Sequence, residues 1–278
     1  MEKLVITIAP TGSIPTRDTT PHVPITPEEI VADCVRCVEA GASVCHVHVR
    51  EPDGRPSTRF DLFRQVAEGL RARTDAVLQI STGGRAGSAF EERSERLELR
   101  PEMASLTTGS VNFPEGVYAN PRDLVERLAG RMKELAIKPE MEIFDVSMVE
   151  GALDLARKGL AEPPLHFNFV LGLKGALPAT PKNLLHLVET VPAGSTWTVS
   201  GIGRAQLPMA VHAILMGGHV RVGLEDNIYY AKGVLARNVD LVERVVRLAR
   251  ELGRPVATPA EARRILGLGS GGAAAGSG

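Results

Sequence analysis

Short apolar runs rich in β-branched residues recur along the chain at roughly 25–35-residue intervals, and stretches with apolar periodicity near 3.6 lie between them. The runs begin at Leu4 (LVITIA), Ser43 (SVCHVHV), Ala76 (AVLQIST), Met103 (MASLTTG), Met141 (MEIFDVS), Leu165 (LHFNFVLG), Ser195 (STWTVSG) and His219 (HVRVGLED). Their length and side-chain types predict eight strands. The stretches between them carry helix-start signals. TPEEIVADCVRCVEAG has Thr26 as N-cap, Pro27 in the first turn and Glu29 three residues after the cap. Asn120-Pro121 and Thr180-Pro181 repeat the scheme, RNVDLVERVVRLARELG follows the last strand, and TPAEARRILGL adds a short helix beyond it.

Strand and helix alternating in this way predict an α/β fold, a (β/α)8 TIM barrel with a short extra C-terminal helix. A doubly wound open sheet shares the periodicity and is the alternative. No linker divides the chain, so residues 1–268 are expected to be one catalytic domain. The low-complexity stretch 269–278 (GSGGAAAGSG) is expected to be a disordered tail.

In a barrel the active site forms where the strands end, at the C-terminal mouth. The second strand reads CHVHVR, Cys45 to Arg50. Side chains alternate along a strand, so His46 and His48 share a face, with Cα atoms about 6.5–7 Å apart, and Cys45 points away. Two imidazoles leaning to one point suggest a metal. Zn²⁺ accepts imidazole and carboxylate, and catalytic sites commonly have three protein ligands and an open position. Barrel closure brings strand eight near strand two, which makes Glu225 the leading third ligand. Spacing alone does not separate it from Asp226 or Glu142. Other polar residues at strand ends include Ser81, Ser105, Glu140, His166, Asn168 and Arg221. After strand seven, Gly201-x-Gly203 with Arg204 stands at a helix start, the usual place for a phosphate in such barrels, although a turn needs glycine there anyway. His22, His186, His212 and His219 have no readable partner and are expected to be structural or exposed.

Composition narrows the partners. The chain has 278 residues, 44% hydrophobic and 23% charged, with 32 basic against 33 acidic side chains and a net charge of -1. Nothing here suggests a nucleic-acid surface. No apolar run is long enough to span a membrane, and MEKLVITIAP lacks the basic start and cleavage site of a signal peptide, so a cytoplasmic location is expected. Three cysteines do not make a disulfide framework. Cys34-x-x-Cys37 lies in mid-helix, where packing accounts for it better than redox chemistry.

The segments APTGSIPTR, CHVHVRE, QISTGG, PEMASLTTGSVNF, KPEMEIFD, FVLGLKGALPATPKNLLHL, GIGRAQLP and GGHVRVGLEDNIYYAKG, in this order, resemble the β-keto acid cleavage enzyme family. The resemblance covers Thr7 to Leu266. It implies a zinc-dependent barrel, usually a homotetramer, that converts a β-keto acid and acetyl-CoA to acetoacetate and a new acyl-CoA. By motif position it implies His46, His48 and Glu225 as zinc ligands, and Asp226 as general base oriented by Arg221. Ser81, Ser105 and Glu142 match positions that line the site. Members that cleave 3-keto-5-aminohexanoate carry an acidic residue two positions after the TG of strand one; here that position is Ile14. An apolar side chain gives an ammonium no countercharge, so neutral or apolar β-keto acids are expected to be preferred. Arg17, if it faces the site, would admit an anionic chain instead. A metal-dependent retro-aldol lyase or hydrolase, and a non-catalytic metal-stabilised binding protein, are the competing readings.

Overall fold

A computed structural model of the chain describes residues 1–84, 89–113 and 116–269; all but the first residue of the expected tail lie outside these. Eight parallel strands close into a barrel in sequence order. They are β1 (Ile6–Ile8), β2 (Val44–Val47), β3 (Val77–Ile80), β4 (Met103–Thr107), β5 (Lys138–Ile143), β6 (His166–Leu171), β7 (Thr196–Gly201) and β8 (His219–Val222). Closure is direct: β1 pairs with β2 on one side and with β8 on the other, where Thr7 faces Arg221. The open-sheet alternative is thereby excluded.

Helices α1 (Pro27–Glu39), α2 (Phe60–Arg73), α3 (Phe90–Ser94), α4 (Arg122–Glu134), α5 (Ser147–Arg157), α6 (Pro181–Thr190), α7 (Gln206–Met216) and α8 (Asn238–Glu251) each follow one strand. The α1 start is the capping box read from sequence, with Thr26 and Glu29 each satisfying the other's backbone N–H. At α4 the cap falls one residue later than expected, on Pro121, because the Asn120 amide instead donates to the Gly109 and Tyr118 carbonyls. Cys34 and Cys37 lie buried in mid-α1 as free thiols, and burial pushes the Cys37 thiol up, in keeping with a packing role.

The barrel interior is layered. At the N-terminal end Val5, Val44, Val77 and Met103 form an apolar floor against Ala262 and Leu266, in and just beyond α9 (Pro259–Ile265). That burial is what holds the extra C-terminal helix. Above the floor the inward positions turn polar, with Thr7, His46, Gln79, Ser105, Glu140, His166, Asn168, Thr198 and Arg221 all buried. A barrel core is normally filled by Val, Ile and Leu. Burying so many polar groups is tolerable only when they are hydrogen-bonded or hold something. Among the described residues no helix is long and apolar enough to cross a membrane.

Candidate active site

His46 is the inward residue of β2, in register with Gln79 on β3. It donates its Nδ1–H to Gln79 Oε1 at 2.7 Å, which leaves the Nε2 lone pair free. Burial first, then the Arg221 charge, drives His46 down to about 4, with Glu225 opposing, so the ring is neutral near pH 7. His48 follows the end of β2, its Nε2 at 3.3 Å from Glu225 Oε1, and His46 Nε2 stands 3.8 Å from Glu225 Oε2. One ligand atom from each of the three residues lies within 4.8 Å of the others. His46 Nε2 and Glu225 Oε2 are both buried and have no hydrogen-bond partner. Orphans of this kind cost roughly 1–3 kcal/mol each unless something fills the gap. The neutral His46 ring, the His48 ring and a carboxylate converging on orphaned lone pairs fit a divalent metal, and the donor set suits zinc. Cys45 is buried on the opposite face and takes no part.

The Thr11-Gly12 turn serves this centre. Gly12 has φ +58°, and a Cβ there would stand 2.4 Å from Glu225 Cγ. Only glycine lets the loop after β1 close over the Glu225 side chain. Arg50 pins that loop from below, donating to the carbonyls of Gly12 (2.6 Å) and Pro15 (2.9 Å).

Arg221, inward on β8, meets three carboxylates. It holds Asp226 bidentately, Nε and Nη2 each at 2.9 Å, and its Nη2 also donates to Glu225 at 2.7 Å. Its Nη1 stands 3.8 Å from Glu142. Burial opposes the arginine charge, but the carboxylates around it raise Arg221 well above its ordinary value. Glu225 goes the other way. Burial alone would raise it, yet Arg221 and the two histidines hold it well below the usual range. Asp226 is pushed up to about 6, by burial and by Glu225, against the pull of Arg221. The same arginine therefore keeps one carboxylate ionised, while its neighbour, raised to about 6, can exchange a proton near neutral pH.

Glu142 lines the cleft and accepts from Thr107 Oγ1 at 2.6 Å; Thr107 in turn lies 3.3 Å from the Tyr118 hydroxyl. Ser81 lines the cleft and accepts from the Gly83 amide at 3.1 Å. Ser105 sits deeper, bonded to Thr82, away from the cleft lining. Ile14 is on the lining and 60% exposed. Arg17 turns away from the cleft and grips Glu29 at 2.6 and 2.8 Å, so it gives an anionic substrate nothing. The glycines after β7 have local reasons. The Gly203 amide donates to the Asp226 carbonyl at 2.7 Å, a Cβ on Gly201 would meet the Ala205 carbonyl at 2.5 Å, and Arg204 is exposed.

Below the centre, His166 bonds Glu140 at 3.2 Å and Asn168 bonds it at 3.2 Å, while Ser200 donates to Asn168 at 2.8 Å. Burial works to raise Glu140, but the His166 hydrogen bond and nearby positive charge bring it to about 2. Thr107, at the expected end of the fourth strand, reaches the site, whereas Gln79, Tyr118, Arg93 and Arg96 are not anticipated from the sequence. Gln79 was within reach, since it alternates inward on the strand beside His46. Tyr118 ends the short hairpin strand Gly116–Tyr118 and Arg96 stands in the 3-10 turn Glu95–Leu99, and neither leaves a periodic signal. The cleft holds about 140 Å³ of water-accessible space and has an apolar wall of Phe144, Val170, Leu173 and Ile202.

The family profile of the beta-keto acid cleavage enzyme matches residues 3–268. The chain is 49% identical over 271 residues to the 3-keto-5-aminohexanoate cleavage enzyme of Acetoanaerobium sticklandii, covering 96% of this chain and 99% of that one. It is 48% identical over 269 residues to the 3-oxoadipate:acetyl-CoA acetyltransferase of Cupriavidus necator, covering 95% and 94%. Among solved structures, apo ObcA superposes with a TM-score of 0.79 at 24% identity, over 90% of this chain and 66% of that chain, a likeness of fold. On the profile match and these relatives, the chain belongs to the beta-keto acid cleavage enzyme family.

Proposed function

We propose that the protein is a zinc-dependent β-keto acid cleavage enzyme that turns a β-keto acid and acetyl-CoA into acetoacetate and a new acyl-CoA. The observation that carries this reading is the convergence of His46, His48 and Glu225 on buried, partnerless lone pairs beside an arginine-held aspartate. In the overall reaction the C2–C3 bond of the keto acid and the acetyl C–S bond break. A C2–acetyl bond and an acyl–S bond form, with no net oxidation or proton change.

Held by His46, His48 and Glu225, zinc would supply Lewis acidity toward the keto and carboxylate oxygens and steady the charge that develops as the C–C bond breaks. Asp226 takes the proton from the carbon between the carboxylate and the keto group. Arg221 keeps the accepting oxygen oriented by its two-point grip. Glu142, Thr107 and Tyr118 form a hydrogen-bonded wall opposite, and the apolar side of the cleft keeps water from the reacting acyl group. Arg204, exposed on the turn beside Ile202, is where the phosphate end of acetyl-CoA sits in this reading, next to Gly201 and Gly203.

The distal chain of the substrate carries no cation, because Ile14 stands on the cleft lining where a countercharge would be needed. The same reading makes the protein a cytoplasmic homotetramer, which light scattering on the purified protein checks. An aspartate fixed beside the metal ligands speaks against a merely metal-stabilised binding protein. Elemental analysis of wild type and His48→Ala tests the centre. One zinc per wild-type chain, and little in the variant, is expected; unchanged zinc in His48→Ala would sink the ligand assignment.

A further inference from the structure

Where the barrel closes, one buried amide joins the two loops that flank Glu225. Asn238, the first residue of α8, is 0% exposed. Its Oδ1 accepts from the Leu224 N–H at 2.8 Å, immediately before Glu225 in the chain. Its Nδ2 donates to the Pro10 carbonyl at 3.0 Å, two residues before the Gly12 that closes over the Glu225 side chain, and to Asp33 Oδ2 at 2.5 Å. Asp33 is itself held, its Oδ1 accepting from Arg36 of the same helix at 2.6 Å. A donor on one side and two acceptors on the other fix which way the amide points.

The start of α8 does not need this side chain. The Asp240 carboxylate satisfies the Arg237 N–H at 3.0 Å, and Leu241, Val242, Val245 and Ala249 bury the helix face. Nor do the other ties of the Glu225 loop replace it. Gln206 donates to the Gly223 carbonyl at 3.1 Å and the Gly203 N–H to the Asp226 carbonyl at 2.7 Å, which hold that loop toward α7. Arg50 holds the loop after β1 at Gly12 and Pro15. Between the two loops the Glu225 N–H bonds the Ala9 carbonyl at 3.2 Å. Asn238 bonds both loops from one side chain.

The contact between those loops has no slack. The Gly12 backbone lies so close to Glu225 that a Cβ there would stand 2.4 Å from Cγ, and the carboxylate faces imidazole nitrogens at 3.3 and 3.8 Å. A shift of either loop moves the carboxylate relative to His46 and His48. Metal–ligand distances tolerate only about 0.2 Å. We propose that Asn238 is a positioning residue of the metal centre, which sets the Glu225 carboxylate by tying the Leu224 amide to the Pro10 carbonyl. The inference rests on the ligand assignment made above. It acts through the backbone, because Asn238 bonds none of the three ligand side chains and stands off the cleft lining.

The test titrates metal-free protein with zinc against a chelator of known affinity, reads the visible bands of the cobalt-loaded protein, and records the metal-free Tm. Asn238→Leu keeps the volume and removes all three bonds. It should bind zinc at least about tenfold more weakly and shift the cobalt bands. The control is Ser43→Ala at the far end of the barrel, where the buried hydroxyl donates to the Ala257 carbonyl. It should lower Tm yet leave zinc affinity and the cobalt spectrum as in wild type. Should Asn238→Leu fail to fold, the exchange Asp33→Asn with Asn238→Asp decides. That exchange keeps an acceptor for the Leu224 N–H and a bond between positions 33 and 238, but sets a carboxylate oxygen against the Pro10 carbonyl. It should weaken zinc about tenfold. Zinc affinity within about twofold of wild type in the deciding variant would overturn this inference alone. So would an equal loss of zinc in Ser43→Ala. A wild type that binds no zinc would instead remove the ligand assignment, and the positioning with it.

Discussion

Replacing Gln79 by leucine tests how the barrel prepares His46, and the structure sets opposite signs for two measurements. Gln79 is fully buried; its Oε1 accepts from His46 Nδ1 at 2.7 Å, while its own Nε2 bonds nothing. Leucine of similar volume removes that orphaned amide donor and leaves His46 Nδ1–H without an acceptor. One buried unsatisfied group, worth about 1–3 kcal/mol, is exchanged for another. The imidazole can also change tautomer. Its Nε2–H would then point at Glu225 Oε2, now 3.8 Å away, and satisfy both orphans of the metal-free centre. The metal-free variant should therefore melt at the wild-type temperature or above it. Zinc must then displace that proton and bind a ligand with no partner behind it. Loss of such an outer partner weakens metal affinity about 10–100-fold, or roughly 1.4–2.8 kcal/mol. Competition against a chelator of known affinity reads the zinc Kd, and Gln79→Glu, which keeps an acceptor at Nδ1, should hold zinc. Zinc affinity within about twofold of wild type for Gln79→Leu would show that Gln79 does not prepare His46 for the metal, because loss of an outer partner costs at least about tenfold. A fall in the metal-free Tm that matches the zinc loss would reduce Gln79 to a packing role.

Asp226→Asn should keep its zinc and its fold but lose about 100-fold or more in kcat, read from acyl-CoA formation; near wild-type turnover would remove Asp226 from the mechanism. Wild type is expected to turn over 3-keto-5-aminohexanoate slowly, and Ile14→Glu should raise kcat/KM for it by supplying the missing countercharge. If the wild type already prefers the aminated compound, the countercharge comes from elsewhere in the cleft.

The barrel was legible because its signals are local and periodic. Thr26 and Glu29 announce α1, and the β-branched runs announce each strand. The His46–His48 pair was legible for the same reason, since strand alternation alone puts both rings on one side. Strand limits were less so. The barrel strand β2 stops at Val47, and Val49–Arg50 leaves to form a small hairpin with Pro56–Ser57, because the pairing with β3 ends at Ile80. The Asp226 bond to Arg221 follows from a turn at Gly223–Asp226 that no periodicity encodes. Arg17 shows the limit from the other side. Its charge near the TG motif suggested an anion site, but the nearest carboxylate, Glu29 of the α1 cap, takes it. The arginines that do lie beside the cleft, Arg93 and Arg96, come from a short helix and a 3-10 turn whose sequence reads as an ordinary charged surface.

In the proposed reaction acetyl-CoA is a carbon partner in the cleavage, at a centre that needs zinc. Acetyl-CoA labelled with ¹³C at both acetyl carbons, incubated with zinc-loaded protein and with either 3-oxohexanoate or 3-oxoadipate, tests it in one spectrum. The predicted result is acetoacetate labelled at C3 and C4 together with unlabelled acyl-CoA, and no product from metal-stripped protein until zinc is restored. Labelled free acetate, or cleavage of the keto acid without acetyl-CoA, would contradict the account and point to a hydrolase or a lyase on the same barrel.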